Sequence, residues 1–324
     1  MAFQKAIKTK AKLRLALCGL AGTGKTFTAL KVGAEISKMI REAGLGEGRI
    51  ACIDSERGSA ALYADKFDFD VCELESFSPL AFVDKIHEAE QAGYDIIIVD
   101  SLSHAWMGKD GALDQKDQAA DRGGNSWTAW RAVTPKHNAL VDALVGSRSH
   151  VIATMRTKME FVQETTNGKT EIKKVGLAAI QREGMEYEFT LVGDVDHTHT
   201  LKIQKTRCDG YINLGDQFEK PGEVFARKVF GWLMNGADAP APRARPVEDA
   251  TLSIAIDETF AKFLAAMTEA GTQADLDRVA GGSGKPAKGT PAHAKATEHY
   301  LACKARLEVS ANAPQTPGAE AQAS

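Results

Sequence analysis

An α/β protein with a mostly parallel sheet flanked by helices is the fold class this sequence predicts, and three observations carry the expectation. Through the first 237 residues, strand signals alternate with helix signals, the pattern of chained β-α units. The runs IACID (Ile50–Asp54) and DIIIVD (Asp95–Asp100) are short, β-branched and almost wholly apolar, as strands covered on both faces are. LRLALC (Leu13–Cys18) runs directly into the glycine-rich GLAGTGKT and then into a helical pattern, a strand–loop–helix unit.

Composition sets the frame. The 324 residues, 44% hydrophobic and 26% charged, suit a globular protein with one large core and a smaller module. A net charge of −3 argues against a globally basic nucleic-acid binder, so any such surface must be local. Five scattered cysteines without a CxxC pair, three of them in expected core strands, suit a reducing cytoplasm. No apolar run approaches a membrane span, so no membrane association is expected. The basic start (Lys5, Lys8, Lys10, Lys12, Arg14) lacks the apolar stretch of a secretion signal.

Taken in order, the first strand ends on Gly19-Leu20-Ala21-Gly22-Thr23-Gly24-Lys25-Thr26, a full match to G-x-x-x-x-G-K-[ST]. The glycines let the backbone turn so that successive N–H groups face one phosphate chain, and the following helix N-terminus adds partial positive charge. Lys25 is placed to reach the β/γ-phosphates and Thr26 to ligate Mg2+, so ATP with Mg2+ is the expected cofactor pair. The helix Phe27–Ile40 turns Leu30, Ala34, Ile36 and Ile40 towards a core. After the strand Ile50–Asp54 comes Glu56, placed to orient and deprotonate an attacking water, with Asp54 as the structural acid. Ser78 and Pro79 read as N-cap and first residue of a helix through Gln91. The strand Tyr94–Asp100 has the Walker B form, its terminal Asp100 placed to hold the Mg2+ water shell. HVIATM (His150–Met155) is a further buried strand, and two polar-alternating runs around Asn167–Gly168 give a β-hairpin insertion.

Seven of the ten prolines follow residue 238. The expected organisation is therefore a core at 1–237, a Pro/Ala linker at 238–250, a small helical hairpin at 251–309 and a disordered tail at 310–324. The hairpin consists of two helical stretches, Thr251–Val279 and Ala292–Val309. Between them, GGSGKP (Gly281–Pro286) imitates half a P-loop, but no strand precedes it and Pro286 stands where Ser or Thr belongs. It reads as a connecting loop.

GLAGTGKT, IDSE and VDS in this order and spacing resemble the RecA-like recombinase ATPases. LKIQKTR (Leu201–Arg207) looks like the late strand of that family, whose K-x-K pair reaches the neighbouring subunit's nucleotide; the resemblance implies that role for Lys205 and Arg207, and homo-oligomers with ATP at subunit interfaces. VGLAAIQREGMEYEF (Val175–Phe189), GDVD and KTR are similar to phage-encoded ATP-binding proteins, some of which are single-strand annealing proteins of the Sak type. The resemblance spans roughly residues 12–233. It departs where the family has a γ-phosphate-sensing Gln: this strand ends Thr154-Met155-Arg156-Thr157-Lys158, which passes the sensing role to Thr154 or Arg156. The short N-terminal extension implies that the polymerisation helix of full recombinases is absent.

Two segments occupy the positions of the family's DNA loops. Gly108–Asn125 is polar, lacks a hydrophobic period and carries Lys109, Lys116 and Arg122 against four aspartates. Trp127 and Trp130 follow at i,i+3, the spacing of a helix packing face more than of a base-stacking pair. The Asn167–Gly168 hairpin carries Lys158, Lys169, Lys173 and Lys174, with Arg182 just beyond. His197 and His199 form an HxH without partner ligands, which does not make a metal site. Three functions compete: an ATPase acting on single-stranded DNA in recombination or annealing, a helicase- or packaging-type motor on duplex DNA, and a non-catalytic ATP-binding adaptor. A single-strand-binding protein or other recombination partner is expected to engage the C-terminal region.

Overall fold

The computed structural model describes residues 5–121, 126–166, 169–238, 258–282, 285 and 291–311, with the side chains at 126–127, 159–166, 169–176, 258–261, 291–295, 298 and 308–311 outside that description. The chain divides into two compact units, Met1–Ala239 and Pro240–Ser324.

In the first unit, β1 (Arg14–Gly19) leads through the glycine loop to α1 (Lys25–Glu42). Then follow β2 (Ile50–Asp54), a 3-10 turn (Ala60–Tyr63), β3 (Asp70–Glu73), α2 (Pro79–Gln91) and β4 (Ile96–Asp100). The short α3 (His104–Met107), α4 (Ala112–Asp121) and α5 (Ser126–Gly146) lead to β5 (His150–Thr166) and β6 (Lys169–Ala179). A second 3-10 turn (Met185–Glu188), β7 (Leu191–Val195), β8 (Thr200–Thr206), β9 (Gln217–Glu219) and α6 (Glu223–Met234) complete it.

The sheet order is β3-β2-β4-β5-β1-β7-β8-β9, with β6 paired to β5. The six strands from β3 to β7 are parallel; β8 runs antiparallel to β7, and β9 antiparallel to β8. This is the mostly parallel, helix-flanked α/β core that the alternating signals predict.

Burial follows from the pleat, which sends alternate residues to opposite faces. Leu15, Leu17, Ile96, Ile98 and Ile152 pack with Leu30 and Ile36 of α1 and Phe225 and Val229 of α6. Ala16, Ile97, Val99 and Val151 face Phe82 and Ile86 of α2 and Leu140 and Leu144 of α5. Arg14 breaks the apolar run of β1 without breaking the strand. Its guanidinium donates to Leu13 O (2.7 Å), Ser149 O (2.8 Å), Val145 O (3.0 Å) and Ser147 O, so the buried charge is spread over four carbonyls. Burial lowers its pKa to about 10.

The register sets the site. Gly19 lies opposite Arg156, Cys18 opposite Met155, and Asp54 opposite Asp100. The ends of β2, β4, β5 and β1 therefore meet at one edge of the sheet, where ligands of open α/β folds bind.

Several expectations change. The polar segment after Gly108 is not an irregular loop: α4 covers Ala112–Asp121, held by polar bonds and not by an apolar stripe. Gln115 Nε2 donates to Asp110 O (2.6 Å), Lys136 Nζ to Gln115 Oε1 (2.7 Å), and Asp110 N to Asp114 Oδ2 (2.7 Å). Ser78 stands at the N-cap before Pro79, yet its hydroxyl makes no cap bond and accepts from Gln115 Nε2 at 3.1 Å. β3 and β9 carry no legible apolar period; both are short, mostly exposed edge strands. Trp130 stacks on Trp106 with centroids 5.6 Å apart, while the side chain of Trp127, its i,i+3 partner, lies outside the described residues.

In the second unit, the helical stretch expected through Val279 is two helices, α7 (Glu258–Glu269) and α8 (Gln273–Gly281), before α9 (Pro291–Ala311). The break comes at Gly271-Thr272, where the Thr272 hydroxyl accepts from Asp275 N (3.2 Å) and starts a new helix. Phe263, Met267, Leu276, Ala296 and Cys303 form its core. The linker after residue 238 and the tail after residue 311 lie outside the described residues.

Candidate nucleotide site

A cavity of about 750 Å3 opens at the sheet edge, bordered by the glycine loop, the first turn of α1, and residues from the ends of β2, β4 and β5. Its walls bring together Gly22, Gly24, Lys25, Thr26, Glu56 and Asp100. These come from three sequence segments singled out above.

The loop has the backbone its glycines permit. Gly22 and Gly24 sit at φ 80° and 84°, the left-handed region that side-chain-bearing residues avoid. At Gly19 a Cβ would lie 2.5 Å from Val195 O, so close packing against β7 excludes any side chain there. Thr23 Oγ1 donates to Leu20 O (3.0 Å) and Lys25 Nζ to the same carbonyl (2.7 Å), closing the turn.

Thr26 Oγ1 donates to Asp100 Oδ2 (2.6 Å), which joins the two residues expected to hold Mg2+. The other carboxylate oxygen accepts from the buried hydroxyl of Thr154. Burial raises the Asp100 pKa, and the bonds from Thr154 and Thr26 oppose the rise. Lys25 is lowered by burial, against the opposing pull of Asp100 and Glu56. The donor set fits Mg-ATP: a glycine cradle, a cation for phosphate oxygens, and a hydroxyl–carboxylate pair suited to a hard metal.

Glu56 lies on the loop after β2. Asp54, fully buried, accepts from Glu56 N (2.5 Å) and Ala60 N (3.2 Å), so it shapes the loop that presents Glu56. The Glu56 carboxylate is gripped by the Arg156 guanidinium through Nε–Oε1 (2.9 Å) and a second bond from Nη2 to Oε2. Arg156 N donates to Ser103 Oγ (2.9 Å) and Arg156 O accepts from Ile180 N (2.7 Å), which fixes the point where β5 leaves the sheet for the β5–β6 arm. Ser55 Oγ lies 2.8 Å from His104 Nδ1 and accepts from Ser101 N (2.8 Å), tying the loops after β2 and β4 together. Burial lowers the His104 pKa.

Other expected site residues stand elsewhere. Lys205 Nζ donates to Phe189 O (2.7 Å), Glu186 O (3.3 Å) and Tyr187 O, and neither it nor the exposed Arg207 lines the cavity. Lys109 and Lys158 are exposed, Lys116 pairs with its neighbour Asp117, and Arg182 donates to Asn138 Oδ1 at 3.4 Å. Lys169, Lys173 and Lys174 lie on β6 with side chains outside the described residues; Arg122 and the Asn167–Gly168 turn also lie outside them.

Sequence reasoning passed over some walls of the cavity: Phe27 and Tyr63, Lys31, His199 and the Lys220-Pro221 pair. Phe27 and Tyr63 stand edge to face, centroids 5.5 Å apart, and give one wall an aromatic surface. Tyr63 lies seven positions after Glu56 on the 3-10 turn, a signal visible only once that turn is known.

A glycine cradle at a strand–helix junction, with a hydroxyl–carboxylate pair beside it, defines a P-loop ATPase. Residues 11–226, about two thirds of the chain, match the family described as an AAA domain (AAA_24), and the chain belongs to that family. No curated protein matches the chain. Among the described residues no group of His, Cys, Asp and Glu makes a separate metal site, and no helix is long and apolar enough to cross a membrane.

Proposed function

We propose that this chain is a RecA-like ATPase that hydrolyses Mg-ATP and acts on single-stranded DNA, in phage recombination or strand annealing of the Sak type. One observation carries the reading: Arg156, which grips Glu56 beside the phosphate cradle, is also the residue at which β5 leaves for the lysine-bearing β5–β6 arm. A change at the nucleotide is thereby mechanically continuous with a segment suited to phosphate backbones.

Thr26 and Asp100 would hold Mg2+, which would supply charge neutralisation on the phosphate chain. Glu56 orients the attacking water and accepts its proton once the Arg156 guanidinium turns to phosphate oxygens, which makes Arg156 the γ-phosphate sensor and leaves Thr154 as the support of Asp100. The aromatic wall of Phe27 and Tyr63 faces the base. Lys205 and Arg207 serve a neighbouring subunit's nucleotide in an oligomer, and the C-terminal helices engage a partner of the single-strand-binding kind.

Filter binding with single- and double-stranded oligonucleotides, with and without Mg-ATP, tests this together with ATP turnover. The expected result is ATP-dependent retention of the single strand and turnover stimulated by it. Preference for duplex overturns the reading in favour of a motor, and binding of ATP without turnover overturns it in favour of an adaptor.

A further inference from the structure

We infer that His199, on the turn between β7 and β8, is a positioning residue that sets the glycine loop for phosphate binding; the inference rests on the nucleotide reading of the cavity. His199 Nδ1 lies 3.0 Å from Thr23 O, and since a carbonyl only accepts, the ring nitrogen is the donor. The two residues are 176 positions apart in the chain. The ring also lies against Gly24, where a Cβ would come within 2.8 Å of His199 Nδ1.

The consequence follows from peptide geometry. Thr23 C=O and Gly24 N–H belong to one planar trans unit and point in opposite directions. Holding the carbonyl on the histidine therefore fixes the direction of the Gly24 amide, one of the N–H groups the phosphate cradle depends on. Gly24 stands at φ 84°, where it has no side chain to restrain it, so the restraint has to come from a neighbour.

The turn that carries His199 is itself held. Asp196 Oδ1 accepts from Thr198 Oγ1 (2.6 Å), Thr198 N (2.8 Å) and Thr200 N (3.0 Å). His199 N donates to Asp196 O (3.0 Å), and His199 O accepts from Lys220 N (2.9 Å). Lys31 of α1 closes the circuit with a 3.1 Å bond from Nζ to Lys220 O. The imidazole is thus an arm braced on β8 and on α1, reaching across to the loop between β1 and α1.

Calorimetric affinity for Mg-ATP and the split between kcat and KM test the inference on the full chain. His199→Ala should weaken Mg-ATP about tenfold and raise KM by a similar factor, the loss of one hydrogen bond's worth of order in the cradle. Its kcat should stay within about twofold, because the Gly24 amide meets the phosphates in both ground and transition states. His199→Asn, which keeps an amide donor near the Nδ1 position, should recover most of the affinity. Affinity within twofold of the parent in the alanine variant, or an asparagine variant as weak as alanine, overturns the positioning role. Lys25→Ala is the separate control: if that variant binds Mg-ATP like the parent, the phosphate-cradle reading fails, whatever His199 does.

Discussion

Thr154→Val isolates what supports the metal-side carboxylate. Thr154 is fully buried, and its hydroxyl donates to Asp100 Oδ1 while Thr26 serves Oδ2 at 2.6 Å. Valine keeps the shape and removes the donor, so Asp100 must keep its charge in a buried place with one bond fewer. A hydrogen bond to a charged group contributes about 1.5–3 kcal/mol. In a unit of this size each kcal/mol moves Tm by about 2–4 °C, which puts the loss near neutral pH at about 3–12 °C.

The pH dependence has a definite sign. Burial raises the Asp100 pKa in the folded state, so folding favours the protonated form. The resulting penalty is absent below the ordinary carboxylate range, grows as pH rises from there to the folded pKa, and is constant above it. Losing the Thr154 donor raises the folded pKa further and deepens that penalty. The Tm gap between parent and variant, followed by circular dichroism without nucleotide, should be smallest at about pH 4.5 and widest at about pH 8. A gap that is equal at both ends, or corresponds to less than about 0.5 kcal/mol at pH 8, refutes the reasoning.

Glu56→Gln should bind Mg-ATP within about twofold of the parent yet lose at least 100-fold in turnover, since a general base acts on the transition state; steady-state kinetics and calorimetry on one preparation check both. Arg207→Ala subunits mixed with Lys25→Ala subunits should regain part of the turnover that each lacks, because mixed interfaces pair an intact loop with an intact cation; no recovery at any ratio argues against action between subunits. Replacing Lys169, Lys173 and Lys174 with alanine should weaken all single-stranded sequences alike. It should also make the slope of log affinity against log salt shallower by about 0.7 per lost contact, with DNA-free ATP turnover retained.

The glycine loop, its strand and helix, and the β4 strand ending on Asp100 were legible because their signals are local: neighbours in the chain supply the glycines, the apolar alternation and the terminal acid. Glu56 was legible for the same reason, as an acid just past a buried strand. Its grip by Arg156, 100 positions away, was not, because sheet order brings the end of β5 beside β1 and β4, and no local pattern encodes that order. The helix α4 escaped notice because side-chain amides and carboxylates hold it and an apolar stripe does not. His199 was visible only as half of an HxH pair. What makes it a neighbour of Thr23 is the antiparallel return of β8 along β7, which folds its turn over the glycine loop. Chain-local chemistry thus announces which groups can cradle a phosphate, while the register of strands far apart in sequence settles which side chains brace the glycine loop.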